Sequence, residues 1–407
     1  DTEWINEMAA AHFKYADAYA DPTTQWYHVK PLGGGDGYNI LSSEAVARGK
    51  TLATVLDGVG NKTYGYDFFT DEYSKYLVPI SVAQSIFSVN IASILIQVIG
   101  TNPVNVAGIN FTNMFAEWEF YITTLANNGV TIRSIQLCTE LGISNQSDII
   151  HSASDVKNVC IPIISYFRTN HPTFTIYCDA YQVDDTSNFL PNYNSTLNTM
   201  DVDGARQYFF LGEDLDTLEK NFDRVDELSS VLTKFTQQFT GGKKVRFQQV
   251  VTQQGNPFRL KVGEGLILTK FWMNAIRENV NRSNLISDIT LYNASRLISG
   301  TNTIFPLMRF AQLGSGMFQN DGLIEVTFEN ENLDIVGVKK GGGAEVYILN
   351  KGSDFDEVGS IGLNGVTKNV TVESYYGDPE SDEVNHYTDA GSSALLYPHS
   401  LTKIVTV

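Results

Sequence analysis

The stretch IASILIQVI at 91–99 is apolar at odd and even positions alike, so as a strand it has no face suited to water. Such a strand is stable where both faces are covered, which is the condition in a parallel sheet flanked by helices. Shorter runs of the same kind recur at 133–138, 173–179, 203–210, 244–252 and 287–292. Between them, at 71–87, 115–127, 154–170, 215–239 and 265–279, apolar residues fall at helical spacing, and 304–312 predicts a closing helix. Strand and helix alternate as in repeated βα units. The expected fold is α/β, a (β/α)8 TIM-like barrel.

The amino end fits this scheme less well. Residues 2–19 place Trp4, Ile5, Met8, Ala9 and Phe13 on one helical face. This predicts a helix as the first element, with a first barrel strand that is irregular or lies upstream of residue 1. Residues 26–32 are the first strand candidate, and GGGDG at 33–37 lets the chain turn sharply after them. That turn matches neither G-x-x-x-x-G-K-[ST] nor G-x-G-x-x-G, so it is not read as a phosphate or dinucleotide loop.

After Gly316 the period changes to two. Short runs at 323–328, 333–338, 344–350, 366–373, 394–396 and 401–407 are separated by Gly, Asn and Asp turns, the pattern of an antiparallel β-sandwich. The expected division is a barrel over 1–315 and a sandwich over 316–407, packed closely together.

Charge narrows the function. With 28 basic and 46 acidic residues the chain carries a net charge of −18. That opposes nucleic acid and anionic membranes as partners. No apolar run reaches the length of a membrane span. Cys138, Cys160 and Cys178 sit in apolar segments and read as buried thiols rather than a disulfide framework. The histidines are scattered without ligand spacing, so no metal and no cofactor is expected. Abundant Tyr, Phe and Asn, little Lys, and Asn-x-Ser/Thr sequons at Asn61, Asn110, Asn145, Asn194, Asn281, Asn293 and Asn369 suit an extracellular or particle-surface protein.

In a parallel barrel, chemistry gathers at the carboxyl ends of the strands. Glu140 follows the strand at 133–138 and is the first candidate; the competing reading is a cap or ion-pair partner for the segment that follows. Tyr38, Tyr208 and Tyr292 lie near strand ends, where a ring can stack on a sugar, although most barrel aromatics serve packing. Glu213 and Glu264 are further acids close to strand ends. Glu264 has a second reading, as an anion near a helix N-terminus.

Several segments resemble retaining glycoside hydrolases built from a (β/α)8 barrel and a β-sandwich, in particular the heparanase-like β-glucuronidases and their β-xylosidase relatives. HVKPLGGGDGYN at 28–39 is similar to the early strand that ends in a Pro-Gly-Gly turn. IQLCTELG at 135–142 is similar to the segment ending in Asn-Glu, which implies a general acid/base role for Glu140, with Thr139 in place of the Asn. FRTNHPTFTIYCDA at 167–180 resembles the helix and strand that follow, and LLYPHSLTKIVTV at 395–407 the closing sandwich strand. DGARQYFF at 203–210 matches the strand where that family carries His before Tyr, and here Gln207 stands before Tyr208. KVRFQQVVT at 244–252 matches the strand of the nucleophilic Glu, and the position falls on Gln249, or on Gln248 if the register slips by one.

A retaining mechanism needs two carboxyl groups about 5 Å apart, one to attack the anomeric carbon and one to protonate the leaving oxygen. An amide has nearly the shape of the carboxylate but not its charge. The resemblance thus implies a catalytically impaired glycosidase fold serving as a carbohydrate-binding or structural component of an extracellular or virion assembly, with glycan or other protein subunits as partners. The alternatives are an active glycosidase that uses Glu140 with a displaced nucleophile, and a purely architectural subunit whose cleft its own loops fill.

Overall fold

The computed structural model describes residues 16–19, 51–56, 61–66 and 91–96, separate positions from 111 to 127, and then 129–137, 153–184, 192–291, 304–318, 321–326, 330–341, 343–359, 362–363 and 366–406. Seven strands form one sheet: β1 (Ala16–Tyr19), β2 (Ile91–Ile96), β3 (Thr131–Leu137), β4 (Thr175–Asp179), β5 (Gly204–Leu211), β6 (Lys244–Thr252) and β7 (Ile286–Leu291). Their order in the sheet is their order in the chain, and each pair from β1 to β5 is parallel. A sheet that winds in one direction without reversal is the barrel type rather than the doubly wound type. The expected barrel architecture is therefore present.

The helices between these strands include α1 (Ala153–Asn170), α2 (Tyr193–Leu197), α3 (Leu218–Asp226), α4 (Leu228–Gln238) and α5 (Val262–Asn281), and α6 (Pro306–Gly314) follows the last of them. Phe111, Phe115, Glu119 and Ile122 are also helical, in keeping with the helix expected around 115–127.

Two expectations are corrected, and two further elements appear. The first concerns the helix read over 2–19: Ala16–Tyr19 is a strand, paired residue by residue with Ala92–Leu95, so a regular edge strand lies within the chain. Alanine favours helix by only a fraction of a kcal/mol per residue, a weak preference that backbone pairing with β2 outweighs. Second, the single helix read over 215–239 is two. It starts when the Thr217 hydroxyl caps the Lys220 N–H, and it breaks after Asp226, whose carboxylate accepts hydrogen bonds from Lys270 and Asn274 of α5. Of the further elements, α2 lies in a stretch rich in Asn, Ser and Thr. The buried Asn194 side chain there accepts from the Tyr181 N–H and donates to its carbonyl, both at 2.8 Å. The other is an antiparallel hairpin of Thr51–Leu56 and Asn61–Tyr66, which the periodicity did not predict.

The last part of the chain forms a six-stranded antiparallel sheet of β8 (Gly322–Ile324), β9 (Leu333–Lys340), β10 (Gly343–Asn350), β11 (Val370–Tyr376), β12 (Asn385–Gly391) and β13 (Ser400–Thr406), in the order β8-β9-β10-β13-β11-β12. One face buries Leu333, Ile348, Val370, Val372 and Ile404 together with Leu396 and Ala394 of a shorter ladder. That ladder pairs Asp356–Val358 with Ala394–Leu396.

The chain packs as two compact units, Lys14–Gln207 with Thr233–Arg246, and Tyr208–Leu232 with Phe247–Val407, the boundaries falling inside β5, α4 and β6. The second unit joins α5 to the antiparallel sheet directly. The N–H groups of Val262 and Gly263, two of the donors that every helix start leaves open, are taken up by the carbonyls of Ser381 and Pro379 in the β11–β12 connection, each at 2.9 Å. Among the described residues no helix is long and apolar enough to cross a membrane.

Candidate functional site

The parallel register sorts the strands of the first unit into two unlike faces. Ser134 is level with Thr175, Gln136 with Tyr177, Tyr177 with Gly204, and Asp179 with Arg206, so these side chains share one face. Between them, Ile135, Leu137, Ile176, Cys178 and Ala205 put an apolar layer on the other face, sealed from solvent, with Gln207 the next residue of β5 on that face. The polar face is equally dry: Ser134, Gln136, Asp179, Arg206 and Arg246 are each at most 1% exposed.

Burial of that much polarity demands pairing. The Arg206 guanidinium forms an ion pair with the Asp179 carboxylate, and both side chains are fully enclosed. The Arg246 guanidinium lies 5.6 Å from the Tyr177 ring centre, in cation–π range. Across β3 to β7 only two carboxylates occur, Asp179 and Asp288. Asp179 is held by a guanidinium, which occupies it.

Of the residues expected at the site, Glu140, Thr139, Tyr38 and Tyr292 lie outside the described residues. Gln249 lies in β6 near its carboxyl end. Gln248, one residue earlier, is 3% exposed. Gln207 is fully buried, and its amide serves the backbone. It donates to the carbonyls of Arg206 and Tyr181, at 2.9 and 3.2 Å, and accepts from the Val183 N–H at 3.0 Å. It thereby clamps the segment that leaves the tip of β4. Tyr208 is 2% exposed, and its ring stacks on Phe210 at 4.7 Å.

The two additional acids have separate fates. Glu264 is sealed in the first turn of α5, where it accepts from the Leu260 N–H at 2.7 Å and from the Thr252 hydroxyl. This is the anion-at-a-helix-start reading. Glu213 is exposed and lies against Gly255. Sequence reasoning passed over Asp179, Arg206 and Arg246. The available signal was a charged residue inside a strand whose neighbours are apolar, as in GARQYFFL and KVRFQQVVT.

No family model matches the chain, and no curated protein matches it. Solved structures do match. An arabinofuranosidase superposes with a TM-score of 0.63 at 14% identity, over 99% of this chain and 89% of that one. The fold is a glycoside-hydrolase fold. An α-L-arabinofuranosidase from Thermotoga maritima in complex with arabinose gives 0.62 at 13% identity over 100% of this chain and 89% of its own. An endoxylanase of family GH30 from Clostridium papyrosolvens gives 0.51 at 11% over 100% and 92%. The resemblance read from the strand segments thus holds for the architecture, barrel and sandwich together.

Proposed function

We propose that this glycosidase-fold chain does not hydrolyse glycosides and serves as a carbohydrate-binding or structural component of an extracellular or virion assembly. The observation that carries this reading is the inventory of carboxylates on the barrel strands. β6, the strand matched to the nucleophile, runs KVRFQQVVT with amides at 248 and 249 and no acid. Asp179, the acid on the polar face of β3 to β5, is bound to Arg206. Double displacement needs one ionised carboxylate as nucleophile and a second, protonated carboxyl about 5 Å away, with their pKa values pushed apart by distinct surroundings. Glycans or neighbouring protein subunits are the partners that fit, and the charge of −18 disfavours nucleic acid.

The test is turnover. The purified chain, its Gln249→Glu variant and a Glu140→Gln control are assayed against aryl β-glycosides, aryl α-L-arabinofuranosides and natural oligosaccharides. No turnover is expected from the parent. None is expected from Gln249→Glu either, because Thr139 and Gln207 stand where the matched family carries the supporting Asn and His. Hydrolysis by the parent that disappears in Glu140→Gln would make the chain an enzyme with a displaced nucleophile.

A further inference from the structure

We infer that the sandwich carries a docking surface for a neutral polysaccharide, centred on Phe355, Leu395 and Tyr397. This deepens the carbohydrate-binding reading above and rests on it. The ladder of Asp356–Val358 with Ala394–Leu396 sends Ala394 and Leu396 into the core, so Leu395 and Glu357, partners across it, face outward. Phe355, just before this ladder, is 63% exposed, the most of any large apolar side chain among the described residues, and Leu395 is 36% exposed.

Phe355 is not an isolated surface ring. It meets Tyr397 edge to face at 5.3 Å, Tyr397 stacks on Tyr376 at 4.0 Å, and Tyr387 leans on Tyr397 at 5.1 Å. The backbone beneath is pinned by one buried side chain. Asn350 donates to the carbonyls of Asp354 and Tyr397, at 3.1 and 3.0 Å, and accepts from the Gly352 N–H at 2.9 Å. A surface fixed before its ligand arrives loses little conformational freedom on binding.

The charge of the chain segment that carries Tyr376, Tyr387, Leu395 and Tyr397 selects the occupant. No Lys or Arg occurs between Lys368 and Lys403, while Glu373, Asp378, Glu380, Asp382, Glu383 and Asp389 all do. Sulfated or uronic chains are repelled by such a surface. A neutral sugar chain offers C–H faces to the rings and hydroxyl donors to the carboxylates, which matches both features. A basic protein segment can also pair with the carboxylates and set cations over the rings, and its binding is distinguished by sensitivity to salt.

The full chain is run through native gels containing arabinoxylan, mixed-linkage β-glucan or galactomannan, with polygalacturonate and polylysine gels beside them, at low and high salt. Retention by at least one neutral polysaccharide, unaffected by salt, is expected. Phe355→Ala should weaken it by about tenfold, the scale of one lost stacking contact, while Phe355→Trp keeps it and both variants keep the parent's melting temperature. Retention untouched by Phe355→Ala overturns this surface but leaves a carbohydrate-binding barrel standing. No retention in any neutral gel overturns the surface and carbohydrate binding of these polymers together. Salt-sensitive retention by polylysine alone, lost in Phe355→Ala, overturns the glycan and assigns the surface to a basic protein.

Discussion

At the scale of single residues, the interior is governed by charges that have been enclosed and then answered. Asp179 and Arg206 are the clearest case, since neither side chain touches solvent. Asp179→Asn leaves the guanidinium enclosed without its counter-charge, and a loss of about 3–5 kcal/mol is expected in chemical denaturation. The double replacement Asp179→Leu with Arg206→Met removes both charges and should recover much of that loss. Glu345 makes a second, pH-dependent case. Burial pushes its carboxyl up, but the Tyr347 hydroxyl and the ammonium groups of Lys403 and Lys340 outweigh this and hold it below its ordinary 4.5. A folded pKa below the unfolded one contributes stability that is present above 4.5 and lost as the pH falls through the folded value. Glu345→Gln should therefore be less stable than the parent at pH 7, with the gap closing in acid when melting is followed against pH. Asn194 shows how a short motif misleads at this scale. It opens a sequon, yet its side chain is buried and holds both backbone groups of Tyr181.

At the scale of elements, close backbone approach decides which residues a strand tolerates. β5 opens with Gly204, and a Cβ there would collide with the Lys244 carbonyl of β6, a backbone atom that has no rotamer by which to yield. Gly204→Ala is expected to lower stability by about 1–3 kcal/mol in a thermal or urea melt. The elements legible in the sequence were those with a clean period. The run at 91–99 appears as β2, and KVRFQQVVT is β6 from its first residue to its last. Those that were missed take their structure from partners. β12 is exposed at every residue but one and so shows no alternation; its ladder with β11 makes it a strand. β1 borrows its conformation from β2 in the same way. The candidate site divides along the same line. Strand ends could be located from the βα rhythm, whereas the Asp179–Arg206 pair follows from the register of β4 on β5, and no local pattern encodes a register between distant strands.

At the scale of the whole molecule, the change of period at Gly316 marks a change of architecture, and the packing of the second unit runs across it. The β11–β12 connection supplies acceptors to the first N–H groups of α5, Arg277 of α5 donates to the Ile335 carbonyl of β9 at 2.6 Å, and Lys270 of α5 stands 3.8 Å from Asp334. A Cβ on Gly316 would strike the Tyr347 hydroxyl, so the turn after α6 lies directly on β10, and α6 itself lies against β11 and β13. Tyr347 and Leu401 are fully buried. Removing the helices would open apolar surface, take from the Ile335 carbonyl its Arg277 donor, and leave Asp334 with Lys351 alone of its two lysines. At roughly 90 residues a sandwich is large enough in principle to fold by itself, so the question is which effect wins. The polar groups that α5 satisfies and the packing of α6 against β11 and β13 favour dependence. A fragment of residues 316–407 is expected to show a broad, weakly cooperative melt and poorly dispersed amide resonances, while the full chain unfolds α5 and the antiparallel sheet together in hydrogen exchange. A sharp transition and a dispersed spectrum from the fragment alone would show instead that 316–407 is a domain in the thermodynamic sense, with its contacts to α5 added on a fold already complete.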